Sequence, residues 1–226
     1  MVNRNLSFDP ICRLPCWWGI SPGQTSLNEA VEILSVPALS MVIHRNNREV
    51  FLEAKIPMDD VNISLDNWQF YRFMNDISWS IEVFTGIDSE YQIGPLLESY
   101  GPPNEIWITT FNRDRMGAVL FFSYLFYPDL GLISKHEFRN AYIENETIFG
   151  CPGPNTYPRF YLFEPSKFST LEGALTVFDP EANSSFQFLK IEDSSDLTID
   201  DFYNMFIEYE GEECILTATA IWPPPN

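Results

Sequence analysis

The sequence predicts an α+β protein, an antiparallel sheet with few short helices, organised as tandem helix-plus-hairpin repeats. Three observations carry that prediction. Two segments place apolar residues at i, i+3, i+4 and i+7 and stop at a proline, the pattern of a short helix with one buried face. Each is followed by two strand-length apolar runs with a short polar turn between them, as a hairpin demands. Aromatic residues make up 15% of the 226 residues, and large rings favour strands and bury much apolar area apiece.

The opening segment, residues 1-24, contains "CRLPCWWGISPG", with Cys12 and Cys16 beside the adjacent Trp17 and Trp18. It reads as a clamp in which the cysteines tie the chain down and the indoles cover an edge of the core. The first repeat, residues 25-90, starts with Thr25 or Ser26 as helix N-cap, and Glu29, three after Ser26, closes a capping box. Leu27, Ala30, Val31 and Leu34 form the apolar face, Pro37 is the stop, and "LSMVIHR" and "REVFLEAKI" form the hairpin. "WSIEVF" then alternates Trp79, Ile81 and Val83 as a half-buried strand.

The second repeat, residues 91-150, places Ile93, Leu96, Leu97, Tyr100 and Pro103 at a constant displacement of 66 from the same features of the first. Gly101 fits the residue just past a helix end. The hairpin follows as "EIWITTF" and "GAVLFFSYLFY" around "NRDRMG", and "GLISKHEF" adds a strand. The Gly- and Pro-rich "GCPGPNTYP" marks a boundary. Residues 151-226 then read as a C-terminal α+β subdomain or extension. It has strands "RFYLFEP" and "FQFLKI", a helix opening at Thr198 with Asp201 at capping-box spacing, and a last strand "CILTATAIW" anchored by Trp222.

Composition narrows the function. With 32 acidic and 13 basic residues the formal net charge is −19, a field that repels nucleic-acid phosphates and anionic lipid, so direct nucleic-acid binding is not expected. No apolar run reaches the ~20 residues of a membrane-spanning helix. The first residues also lack the apolar stretch of a secretory signal, so the chain reads either as cytosolic or as a mature segment behind an added Met. Cys12, Cys16, Cys151 and Cys214 permit two disulfides in three connectivities. Their spacings match no zinc, thioredoxin-like or haem pattern. Disulfides in an oxidising compartment are the leading reading, and buried free thiols the alternative.

Chemistry-bearing motifs are absent: there is no G-x-S-x-G elbow, H-E-x-x-H pair or P-loop. The two histidines, His44 and His136, read as surface or edge positions in strands. The acidic runs at Asp59-Asp60 and from Glu192 to Asp201 could offer oxygens to calcium through Asp193, Asp196 and Asp200, but they lack the EF-hand spacing and read as helix capping. The expectation is therefore no catalytic residue, no cofactor and no metal site. Trp17, Trp18 and Trp107 form the candidate binding surface, because Trp is enriched at binding hot spots. In a strand, adjacent tryptophans would point to opposite faces.

The turn, helix and stop in "PGQTSLNEAVEIL…P" and "LLESYGPP" resemble the repeat of the beta-lactamase-inhibitor-protein-like superfamily, which includes outer-membrane assembly lipoproteins of the SmpA/OmlA type. Gly23, Thr25, Gly101 and Pro103 match its G-x-T and G-x-P elements, while Ser35-Val36-Pro37 departs from the second. The opening "PCWWGI" followed by a Pro-Gly-x-Thr turn is similar to uncharacterised bacterial cell-envelope proteins, often lipoproteins. This resemblance implies an extracytoplasmic address, a lipid anchor upstream in the precursor, and a role in contacting other proteins. The resulting expectation is a non-enzymatic extracytoplasmic protein-binding or envelope-assembly module. The alternatives are an acidic, DNA-mimicking inhibitor in the cytoplasm and, third, a hydrolase with no recognised motif.

Overall fold

Ser26 begins the first helix, α1 (Leu27–Leu34), through a complete capping box: its hydroxyl accepts from the Glu29 amide and the Glu29 carboxylate accepts from the Ser26 amide. Hydrogen bonds from the Ser26 backbone and hydroxyl hold the Glu29 carboxyl below its usual pKa. The computed structural model describes residues 12–46, 49–56, 67–85, 91–112, 119–152, 157–179, 187–208 and 213–222. Among them it is an α+β protein of short helices and antiparallel strands. They divide into two compact units, one drawn from Met1–Gly86, Pro128–Ile133 and Arg159–Ser169, the other from Ile87–Tyr127, Ser134–Pro158 and Thr170–Asn226.

In the first unit α1 is followed by β1 (Ser40–Arg45), β2 (Val50–Ile56), β3 (Asn67–Met74) and β4 (Ile77–Phe84), joined in that order as antiparallel neighbours. The expected hairpin around "NN" is β1 and β2, and the alternating "WSIEVF" lies in β4. The Arg159–Phe163 part of a later strand pairs antiparallel with β4. Asn75 and Asp76 both have positive φ, so β3 and β4 join through a two-residue turn of the type that matches strand twist. One face of this sheet presents Leu52, Ala54, Tyr71, Phe73, Ile81, Val83, Phe160 and Leu162, all buried. Leu27, Ala30 and Leu34 on the apolar side of α1 are buried with them.

The second unit opens with α2 (Ile93–Tyr100), whose buried Ile93, Leu96 and Leu97 match the expected face and which ends at Gly101 with φ +75°. Strands β5 (Glu105–Asn112) and β6 (Val119–Tyr127) are the expected second hairpin; its turn lies outside the described residues. The row continues on one side with β7 (Leu132–Phe138), whose residues from Ser134 belong to this unit. A separate three-stranded sheet holds β8 (Tyr142–Glu144), β9 (Thr147–Gly150) and, after β10 (Tyr157–Phe163), the last strand.

The C-terminal region departs from the sequence reading. A helix the reading passes over, α3 (Leu171–Phe178), follows the "RFYLFEP" strand, with Thr170 as N-cap and Leu171, Ala174, Leu175 and Phe178 buried. "FQFLKI" forms only the two-residue β11 (Leu189–Lys190) on β5, because Ile191 already starts a one-turn helix, α4 (Ile191–Ser194). The expected Thr198–Asp201 capping box opens α5 (Ile199–Ile207), which packs with α2. The last strand is shorter than expected: β12 (Ile215–Ala218) gives way to a 3-10 turn, and Trp222 anchors it by donating its Nε1–H to Thr217 Oγ1 at 3.0 Å.

Candidate functional site

Two disulfides join Cys12 to Cys16 and Cys151 to Cys214, which resolves the three connectivities. In the first unit, Cys16 is followed by a tight reversal: Trp17 and Ile20 exchange both backbone hydrogen bonds, at 2.9 and 3.0 Å, across Trp18 and Gly19. Trp18 (φ +53°) and Gly19 (φ +80°) occupy the two left-handed positions of that turn. Strand alternation therefore does not decide where the two indoles point. Trp17 is 3% exposed, with its ring edge toward Phe160 at 6.3 Å, and Trp18 is half-buried. The segment continues onto the start of β4: Gly23 donates to the Ser78 carbonyl and Ser78 to that of Thr25.

The opposite face of the same sheet carries rings and charges in register. Cross-strand pairs set Phe51 beside Arg72, Lys55 beside Trp68, Glu53 beside Phe70, Phe70 beside Glu82, and Phe84 beside Arg159. Cations lie over the rings. Arg159 is 4.0 Å from the Phe84 centroid, Arg72 5.2 Å from Phe51, and Lys55 5.7 Å from Trp68. Trp79 lies under both Arg72, at 6.0 Å, and Lys167, at 5.4 Å. Glu82 accepts from Arg159 at 3.3 Å and faces Arg72 at 3.8 Å, while Trp79 Nε1 donates to Glu49 at 2.8 Å. Trp68 is 38% exposed, and Phe51, Phe70, Trp79 and Phe84 are half-buried. A cation over an aromatic face gains ~0.5–1 kcal/mol at an exposed site. Among the described residues, Lys55, Arg72, Arg159 and Lys167 nearly balance Glu49, Glu53 and Glu82 around these rings.

Trp107 is in the second unit, half-buried on β5 across from Tyr124, and donates Nε1–H to Glu105 at 2.8 Å. Glu105 also accepts the Leu171 amide at the N-terminus of α3. Nearby, Lys135 pairs with Asp179 at 2.7 Å and lies over the rings of Phe122 and Tyr124. The sequence reading finds Trp107 but none of these partners, which converge from four separate stretches of chain.

His44 is exposed, 3.3 Å from Glu53, as a strand-edge histidine should be. His136 is not at an edge: it is 0% exposed on β7, its Nε2 sharing a 2.6 Å hydrogen bond with Ser134 Oγ, which is equally buried. Nδ1 has no partner and no carboxylate orients the ring among the described residues, and the Ser–His pair is a hydrogen bond within the core. The reason for the correction is alternation: even positions of β7 face the core of the unit. Burial lowers the His136 pKa to about 3. The folded protein then takes up no proton here until pH nears 3, while an unfolded histidine does so below its usual 6.5, so stability present above 6.5 is lost as pH falls. By pH 5 the expected loss from this residue is about 2 kcal/mol. Urea denaturation of wild type and His136→Gln at pH 7 and pH 5 checks it, since the variant should lack that part of the slope; equal slopes would contradict it.

In the acidic run, Thr198 and Asp201 are engaged in capping. Among the described residues, no three His, Cys, Asp or Glu side chains are grouped to hold a metal ion. Asp59 and Asp60 lie outside the described residues. No helix among the described residues is long and apolar enough to cross a membrane. Fold and cysteines together define a disulfide-bonded α+β protein with antiparallel sheets. Comparison with known protein families, curated proteins and solved structures finds no match to this chain.

Proposed function

We propose that this protein is a non-enzymatic, extracytoplasmic protein-binding module, with the ring-and-cation face of the first unit as its contact surface. The observation that carries the reading is that face: five aromatic rings, cations stacked over four of them, and, among the described residues there, a near balance of charge in a chain of net −19. Aromatic and arginine side chains are the residues that dominate protein interfaces, and a near-neutral patch is where a −19 chain repels an acidic protein least. The paired cysteines support the extracytoplasmic address, because disulfides persist in oxidising compartments. The repeat reading has support in the helices, since Leu27 to Ile93 and Leu34 to Tyr100 are both displacements of 66. A hairpin follows each of them.

A photocrosslinking residue at position 68 tests the binding role in the host, with position 192 on α4 as an exposed control. One discrete adduct at 68, absent at 192 and lost when Phe70 and Arg72 are both replaced by alanine, is expected. No adduct, or equal adducts at both positions, would overturn the surface assignment. Non-reducing peptide mapping of the same material tests the address: four free thiols would overturn it.

A further inference from the structure

We propose that β1 is a homodimerisation edge, and that a second copy of this chain pairs its own β1 antiparallel to it about a two-fold axis at Val42. The strand has a hydrogen-bonded neighbour on one side only, β2, among the described residues. It is six residues long, whereas β8, β11 and β12, also at row ends, have three, two and four. An end strand of this length leaves a row of amide and carbonyl groups for another strand, and proteins ordinarily blunt such edges with charge, proline or a bulge. Here the pairing with β2 is regular from Ser40 to Arg45, and the strand contains no proline and no acid.

The side chains repeat the signal. Ile43 is paired with Leu52, which is 0% exposed, yet Ile43 itself is 42% exposed. The apolar face of the sheet therefore runs onto β1 and, among the described residues, is left uncovered there. On the other face Val42 is 48% exposed, and Leu39, just before the strand, is 66% exposed.

Charge selects the occupant. Two copies of a −19 chain repel, so they can meet only where acids are missing. No Asp or Glu occurs between Glu32 and Glu49, a stretch that contains the whole of β1. The face rule then fixes the register. Residues opposite one another in an antiparallel pair share a face, so a two-fold axis must pass through a residue, not between two. Centred on Ile43, the pairing sets Met41 against Arg45 of the second copy and Val42 against its His44. Centred on Val42, it sets Val42 against Val42, Met41 against Ile43 and Ser40 against His44, apolar on apolar with no like charges opposed. Such cross-strand pairs add to the backbone hydrogen bonds of the ladder.

The full chain is tested by sedimentation equilibrium from about 1 to 100 µM, the range that brackets a transient homodimer. The mass of two chains at the upper end is expected. Val42→Lys opposes two ammonium groups at the axis and should raise the dissociation constant by about tenfold or more. Its melting temperature at about 1 µM, below the dimer range, should stay unchanged, because Val42 is already exposed in the single chain. Leu216→Lys on β12 should leave dimerisation intact. Under mild oxidation Val42→Cys should link to itself across the axis, and Leu216→Cys should not link. A single-chain mass at 100 µM, or a dimer that survives Val42→Lys while Val42→Cys fails to link, would overturn the proposal.

Discussion

Replacing Gly131 by alanine is expected to destabilise the protein by about 4 kcal/mol. Gly131 has φ +61°, and a Cβ there would lie 2.0 Å from the Phe163 carbonyl oxygen, 3.1 Å from its carbon and 3.3 Å from the Pro165 nitrogen. All three are backbone atoms and cannot rotate away. They are held in place because Phe163 donates its amide to the Gly131 carbonyl at 2.9 Å and Ser166 donates to Pro128. Three costs combine: left-handed backbone for a residue with a Cβ, displacement of a packed segment, and loss of a backbone hydrogen bond. The urea midpoint and extrapolated stability of Gly131→Ala measure the sum. A loss below about 1 kcal/mol would mean that the 159–169 segment shifts freely, contrary to this packing.

Removing the second disulfide by Cys151→Ser with Cys214→Ser should cost about 4 kcal/mol, against about 2 kcal/mol for Cys12→Ser with Cys16→Ser. The asymmetry is one of chain entropy. The first bond closes a loop between residues separated by 4 in sequence, and the second between residues separated by 63. A longer loop has more unfolded conformations to lose. The long bridge also continues a ladder, since Gly150 and Ile215 are opposite residues of β9 and β12 and the cysteines form the next rung. Denaturation of the two double variants under identical conditions tests the order. Equal losses, or a larger loss from the short loop, would show that the short bridge acts through the native packing of Trp17.

What was legible in the sequence was local. Ser26 with Glu29 and Thr198 with Asp201 are three residues apart, so the capping boxes need nothing from the rest of the chain. Gly101 ends α2 for a reason carried by its own backbone freedom. Even α3, passed over in the reading, shows the same grammar in Thr170 followed by Leu171, Ala174, Leu175 and Phe178. The Asn75-Asp76 turn was equally readable, because asparagine and aspartate tolerate positive φ.

The sequence by itself determined the α+β class, the capped starts of α1 and α5, the end of α2 and the two hairpins β1–β2 and β5–β6, because each rests on the order of apolar and turn residues within a few positions. Only the tertiary structure decided which cysteines pair, that His136 is buried, and that Trp68 and Trp79 share a face with Arg72, Lys55 and Lys167. Each of those depends on which strands become neighbours, and in what register. Strand pairing is a choice made by hydrogen bonds and burial between distant segments, so no window of the sequence contains it.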